Sequence, residues 1–391
     1  MADANPPPPP LSADVSHARD FLLRLHRMPA ARTPFTSATN LIVVLNVAMF
    51  IFMGAFFEAG WFEPVSMRPY NLFAASNGAA TTDGEWWRLL TSMFAHYGFL
   101  HLALNMWALI NIGPLLERLF GRALYLVLYL AAGLGGGLLS IAWNGDRVWS
   151  AGASGAIFGV YGALLGYLLR EKHGLPKLVF RPILKSTLIF AGLNIFFGAT
   201  RPGIDNACHL GGLATGFLLG WLTALPVDAG IHARRGASRL WLALAVTAAI
   251  TALGIAFTPR FNYSFRDELT WHEANKDFPD QEQELIKRNN AELQQYQQGG
   301  KNRAAYAEWI ASEVIPFYAR WQQQLAPLAL QPGRVTSERS AVVQAMLRIK
   351  IAGYTRLREG ILANDPQGVA DYVAAEQAAM QQLAQLARRK L

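Results

Sequence analysis

Residues 151–169 read AGASGAIFGVYGALLGYLL, a stretch without a charged residue that stops at Arg170. Crossing a hydrocarbon core takes about 20 mostly apolar residues, so the stretch has the length of a membrane span. Gly152 and Gly155 flank a single hydroxyl, Ser154. Small residues at such positions let a second helix backbone come close.

Six further apolar segments flank it: Asn40–Phe57, Leu100–Leu119, Ala123–Trp143, Pro182–Ala199, Ala207–Leu225 and Leu240–Phe257. The chain of 391 residues is 52% hydrophobic and only 16% charged, which favours a membrane class over two or three soluble domains. The net charge of +8 sits in short basic clusters between apolar runs, a pattern of membrane topology rather than of a nucleic-acid-binding face. Cys208 is the sole cysteine, so no internal disulfide is available. The expected fold is all-α: a polytopic transmembrane bundle with a soluble helical domain behind it.

The first forty residues carry Pro6 to Pro10 and then Arg19, Arg24, Arg27 and Arg32, which suits a cytoplasmic tail ahead of a signal anchor rather than a cleaved signal. With that end inside, the cytoplasmic side collects Arg118, Arg122, Arg170, Lys172, Lys177, Arg181, Lys185, Arg234, Arg235 and Arg239. The other side keeps Arg68, Arg88, Arg147 and Arg201 in its short loops. The positive-inside rule requires this asymmetry, and seven spans then put the C-terminal region outside. Between the first two spans, Glu58 to Phe99 with Trp61, Trp86 and Trp87 suits a loop lying partly at the interface.

From Phe261 onward the sequence reads as soluble and helical, with apolar positions at turn spacing in Arg303–Leu325, Ser337–Ala363 and Gln367–Leu391. Pro316, Pro327, Pro332 and Pro366 interrupt or bound these runs. Metal-ligand spacing, a nucleotide loop and a sustained heptad are all lacking, so a small contact bundle with an unidentified partner is expected. The expected division is a tail at 1–39, a six-helix core at 40–226, a cytoplasmic loop and seventh span at 227–258, and an extracytoplasmic helical domain at 259–391.

Polar groups at membrane depth are functional candidates because burying them is costly. His101 and Asn105, four apart, share a face of the second span, with His96 just before it. Ser154 opens the fourth span and His209 lies near the start of the sixth. The topology puts all three groups near the outer ends of their helices. A hydroxyl and an imidazole within hydrogen-bond reach are what acyl transfer needs. A serine at a helix N-terminus adds its own free N–H for the oxyanion, and His101 and Asn105 add side-chain donors. Gly212 and Gly216 in the sixth span, like Gly152 and Gly155 in the fourth, would let the backbones touch.

Each element has a bland reading as well. A serine in a glycine-rich span is usually packing, and a lone buried histidine is as often structural as catalytic. Phe158, one turn after Ser154, is either core or a platform for the imidazole. Cys208 points about 100° away from His209 around the helix and reads as packing.

Gly152-Ala153-Ser154-Gly155-Ala156-Ile157-Phe158-Gly159 resembles the serine motif of the rhomboid family, and His209-Leu210-Gly211-Gly212-Leu213-Ala214-Thr215-Gly216 resembles its histidine motif. His96, His101 and Asn105 resemble its histidine–histidine–asparagine pattern, and Trp87-Arg88 its tryptophan–arginine pair. The resemblance covers Asn40 to Leu225. It implies a six-span core and an intramembrane serine endopeptidase with a dyad lacking an acid. Ser154 would be nucleophile and His209 base, with His101 and Asn105 near the oxyanion. It also implies a water-filled cavity open to the outer face, no cofactor, and membrane-protein substrates reaching the site beside the fifth helix and the loop from Thr200 to Asn206. Phe158 stands where a tyrosine often stacks on the histidine, and the seventh span and the tail are additions. The expected location is a bacterial inner membrane. A non-catalytic scaffold that binds membrane helices is the alternative. A transporter would need mid-membrane charges or broken inverted repeats, and zinc or aspartate chemistry would need motifs that are missing.

Overall fold

The computed structural model describes residues 12–28, 37–56, 75–201 and 203–390. The proline run at 6–10, Arg32, Trp61 and Arg68 lie outside the described residues. The chain divides into two compact units, Met1–Arg260 and Phe261–Leu391. Among the described residues both are helical, the one extended pairing being an isolated antiparallel bridge between Ser76 and Ser150.

The first unit contains α1 (Ala13–Arg27), α2 (Ala38–Phe56), the short α3 (Gly78–Thr82) and α4 (Arg88–Thr91), α5 (Phe99–Phe120), α6 (Arg122–Asn144), α7 (Ser154–Arg170), α8 (Lys177–Thr200), α9 (Asn206–Thr223) and α10 (Ala229–Ala256). Each of the seven apolar segments forms one long helix. Five of them, α2, α5, α6, α8 and α10, are long and apolar enough to cross a membrane. α7 has 17 residues and α9 has 18. These two shorter helices make the most extensive helix–helix contact in the unit.

Burial separates the centre from the rim. Of the apolar window of α6, 72% is buried, against 11% for α8 and α10. The rim helices turn Leu188, Leu193, Phe196, Trp241 and Leu253 outward. Bare apolar faces of that extent on helices whose backbone bonds are internally satisfied suit a lipid surround.

Turns are set by glycine. Gly121 alone joins α5 to α6, at φ +80, and its N–H caps α5 by donating to Glu117 O. Glu117 is itself buried. Its carboxylate accepts from Ser37 Oγ, Ala38 N, Thr39 N and Thr39 Oγ1 at 2.9–3.2 Å, which places an anion at the positive end of α2.

Several boundaries differ from the sequence reading. α8 and α10 start earlier than the apolar runs Pro182–Ala199 and Leu240–Phe257, because Lys177–Arg181 and Ala229–Arg239 continue the helices beyond the apolar part. Asp228 caps α10 by accepting from Ile231 N, so most of the expected loop at 227–239 is helical. The fourth segment begins its helix at Ser154 rather than Ala151, because Gly152 sits at φ +125. The tail holds helix α1, whose Phe21 joins the core of the unit together with Met28.

The second unit holds α11 (Phe265–Gln297), α12 (Arg303–Trp309), a π-turn (Ile310–Val314), α13 (Ile315–Leu325), α14 (Val335–Ala363) and α15 (Pro366–Lys390). Its core gathers Trp271, Phe278, Tyr306, Ile310, Tyr318 and Trp321. The π-turn precedes Pro316, which lacks an N–H and whose ring crowds the carbonyl four residues back; widening that turn relieves both. α11 lies in the region read as helical from Phe261 onward but is not among the three runs delimited there. Only Trp271, Ala274, Phe278, Leu285 and Asn289 are buried along its 33 residues, a stripe too thin to stand out among Glu, Gln, Asn and Lys.

Candidate active site

Ser154 is the first residue of α7 and His209 the fourth of α9. Their side chains meet, with His209 Nε2 2.9 Å from Ser154 Oγ. Glycine makes this possible. A Cβ on Gly212 would fall 2.0 Å from Gly155 O, and one on Gly216 would fall 1.9 Å from Gly159 O, so the two backbones pack with no side chain between them.

The imidazole is fixed from one face by Phe158, whose ring stacks on it with centroids 4.2 Å apart and planes within 7°. Phe158 is backed by Phe190 of α8 at 5.5 Å. His209 Nδ1 is buried and has no hydrogen-bond partner among the described residues. Asp205 does not supply one, since its carboxylate caps α9 through Cys208 N (3.0 Å) and accepts from Asn144 Nδ2 (3.1 Å) and Ser140 Oγ. Asp205, read from sequence as a loop residue, is thus the N-cap of α9. Asp205 three residues before the capped N–H is a legible cap signature; the polar pair Ser140 and Asn144, four apart at the end of an apolar run, is a weaker sign.

His101 and Asn105 stand against Gly152. A Cβ there would lie 2.7 Å from His101 Cε1 and 3.7 Å from Asn105 Nδ2, so glycine leaves room for the His101 ring two residues ahead of the serine. Asn105 Nδ2 is buried and unpartnered among the described residues. The N–H of Gly152 donates to Ser92 O and that of Ala153 to His96 Nε2. The first intrahelical bond of α7 is Ile157 N to Ala153 O, so the N–H groups of Ser154, Gly155 and Ala156 have no acceptor within the helix.

His96 is a support. Because Nε2 accepts from Ala153, the ring proton is on Nδ1, which donates to Phe94 O at 3.2 Å. Burial, followed by the neighbouring His101 ring, pushes its pKa down to about 3 and keeps it neutral. Trp87 and Arg88 belong to the preceding loop. Arg88 is almost fully buried, bonded to Glu85 Oε2 (2.6 Å) and Ala75 O (2.9 Å), and lies over the rings of Trp87 and Trp149. It braces the segment around Ser76 and Ser150 that leads into Gly152. Cys208 packs into the α7 contact, where a Cβ on Gly155 would lie 2.5 Å from its Sγ.

A family model described as the rhomboid domain matches residues 83–226. The rhomboid protease GluP of Bacillus subtilis is 39% identical over 174 residues, 44% of this chain and 33% of that protein. RHOMBOID-like protein 6, mitochondrial, of Arabidopsis thaliana is 37% identical over 159 residues, 40% of this chain and 49% of that protein. The rhomboid protease AarA of Providencia stuartii is 30% identical over 204 residues, 46% of this chain and 70% of that protein. An all-α bundle and a match of this extent define the class: the chain belongs to the rhomboid family. It is an integral membrane protein. GluP and the plant relative are matched over only a third to a half of their length, and residues 261–391 lie beyond the matched domain.

Proposed function

We propose that this chain is an intramembrane serine endopeptidase that cleaves transmembrane proteins within or near the bilayer. The observation that carries the reading is the 2.9 Å contact between Ser154 Oγ and His209 Nε2 at the mouth of a helix. In the proposed reaction Nε2 takes the hydroxyl proton as Oγ attacks the scissile carbonyl, forming a tetrahedral oxyanion. The imidazolium then gives that proton to the leaving amine, and an acyl-enzyme remains on Ser154. Water, deprotonated by the same nitrogen, hydrolyses the ester and releases the serine.

The oxyanion is supported by the Ser154 N–H, the N-terminal end of α7, and side-chain donors from His101 and Asn105. An unpartnered Asn105 amide facing Gly152, two residues before the serine, suits a donor kept for the transition state. With no acid on Nδ1, the stacked Phe158 is the orienting partner of the base.

Depth follows from length. Seventeen residues make a helix of about 26 Å, short of a hydrocarbon core of about 30 Å. With Arg170 held at one surface, Ser154 lies a few ångströms below the other. Substrate helices would approach beside α8 and the loop from Thr200 to Asn206. The basic clusters support a cytoplasmic N-terminus and an extracytoplasmic Phe261–Leu391 unit; in this reading the protein sits in a bacterial inner membrane and that unit is a contact module for an unidentified partner.

A fluorophosphonate probe and a reporter membrane protein test this together. Wild type should be labelled and should cleave, while Ser154→Ala and His209→Ala should do neither and still fold. Undiminished cleavage by Ser154→Ala sinks the reading; a folded wild type that neither labels nor cleaves favours the non-catalytic scaffold.

A further inference from the structure

A second polar feature lies at the opposite end of α5 from His101. A cavity of about 360 Å³ opens between Met28 after α1, the α5–α6 corner, and the first three turns of α10. Its basic lining is Arg118, Arg122, His232 and Arg239; Met28 and Phe120 are among its apolar walls.

Arg239 is the unusual member. It is only 6% exposed, in a helix that is otherwise mostly bare. Its Nη1 faces His232 Nδ1 at 3.3 Å and its guanidinium lies 5.7 Å from the Phe120 ring, but Nε and Nη2 have no partner among the described residues. A buried guanidinium without an anion is costly. The neighbouring carboxylates are committed elsewhere: Glu117 accepts from the start of α2 and lies 3.8 Å from Arg122, and Asp228 caps α10.

The corner adds backbone donors. The first bond of α6 runs from Tyr125 N to Gly121 O, so the N–H groups of Arg122, Ala123 and Leu124, all on the cavity wall, lack acceptors within the helix. A 23-residue helix directs its positive end there.

We propose that this cavity binds a phosphate group, supplied by an anionic phospholipid headgroup or by free phosphate. The arginines and the α6 N-terminus would hold the phosphate oxygens, and Met28 and Phe120 would lie along whatever apolar part the ligand carries. The inference is independent of proteolysis at Ser154.

The test is thermal unfolding of the full-length protein in neutral detergent, titrated separately with phosphatidylglycerol, phosphatidylcholine and inorganic phosphate. Phosphatidylglycerol is expected to raise Tm and phosphatidylcholine to do much less. A matching rise with inorganic phosphate identifies the free anion as sufficient, whereas no rise with it identifies the lipid headgroup as the source. Arg239→Gln is expected to weaken the apparent affinity by about ten-fold or more, while Arg235→Gln, exposed on the same helix and off the cavity wall, leaves it unchanged. Should Arg239→Gln fail to fold, the partly exposed Arg118→Gln carries the same comparison. Equal stabilisation by the two lipids without a response to phosphate, or a response unaltered in the cavity variants, overturns the proposal.

Discussion

Phe158 lies flat on the imidazole of His209, with ring centroids 4.2 Å apart and planes within 7°. In the proposed dyad that ring would orient the imidazole, as the carboxylate of a triad does, without adding its charge. An aromatic pair is worth about 0.5–1.5 kcal/mol beyond its buried area. Phe158→Leu should therefore slow fluorophosphonate labelling by about two- to ten-fold, and Phe158→Tyr should keep the wild-type rate. Equal labelling of Phe158→Leu and wild type would remove the orienting role.

Backbone contact makes the glycines unequal. Gly216→Ala forces a methyl to within 1.9 Å of Gly159 O, so it should lower Tm by an amount equivalent to at least about 1–3 kcal/mol and abolish labelling of Ser154. Gly192→Ala on α8 meets no atom within 4 Å and should be neutral or stabilising, by up to about 1 kcal/mol. Similar melting curves for the two variants would contradict the packing described.

His96 gives a pH dependence with a definite sign. Its folded pKa of about 3 lies below the ordinary 6.5, so between those values the unfolded chain binds the proton more readily and stability falls as pH drops. His96→Gln still offers Ala153 N–H an acceptor and does not titrate. Its Tm should decline less than that of wild type between pH 6.5 and the acid limit of folding; parallel curves would show that the imidazole does not carry the effect.

Glu117→Ala leaves the first N–H groups of α2 without their carboxylate. The expected cost is about 1–3 kcal/mol, seen as a lower Tm and earlier proteolysis near Ser37. Labelling of Ser154 at low temperature should persist, since Glu117 sits at the far end of α5 from His101.

Seven apolar runs were legible as helices because each is long, nearly uncharged and bounded by charge. Ser154 and His209, whose side chains meet in the structure, stand out in the sequence because a polar group inside an apolar run is conspicuous, and Gly152 and Gly212 beside them announce a close approach. What stayed hidden depended on partners distant in sequence. Glu117, at the end of the run Leu100–Leu119, shows no partner until α2 is laid against it, and Arg239 reads as one more topological charge until the α5–α6 corner covers it. The bounds of α1 and α11 carry little sequence signal because Phe21, or a thin stripe from Trp271 to Asn289, is all that each buries fully.

At Gly155 and Gly212 the spacing between the helices that carry Ser154 and His209 is set by the thickness of two peptide backbones, a length that no lipid can adjust. Residues facing the bilayer are thereby free to drift with the thickness and chemistry of the host membrane while Ser154 and His209 keep their mutual placement.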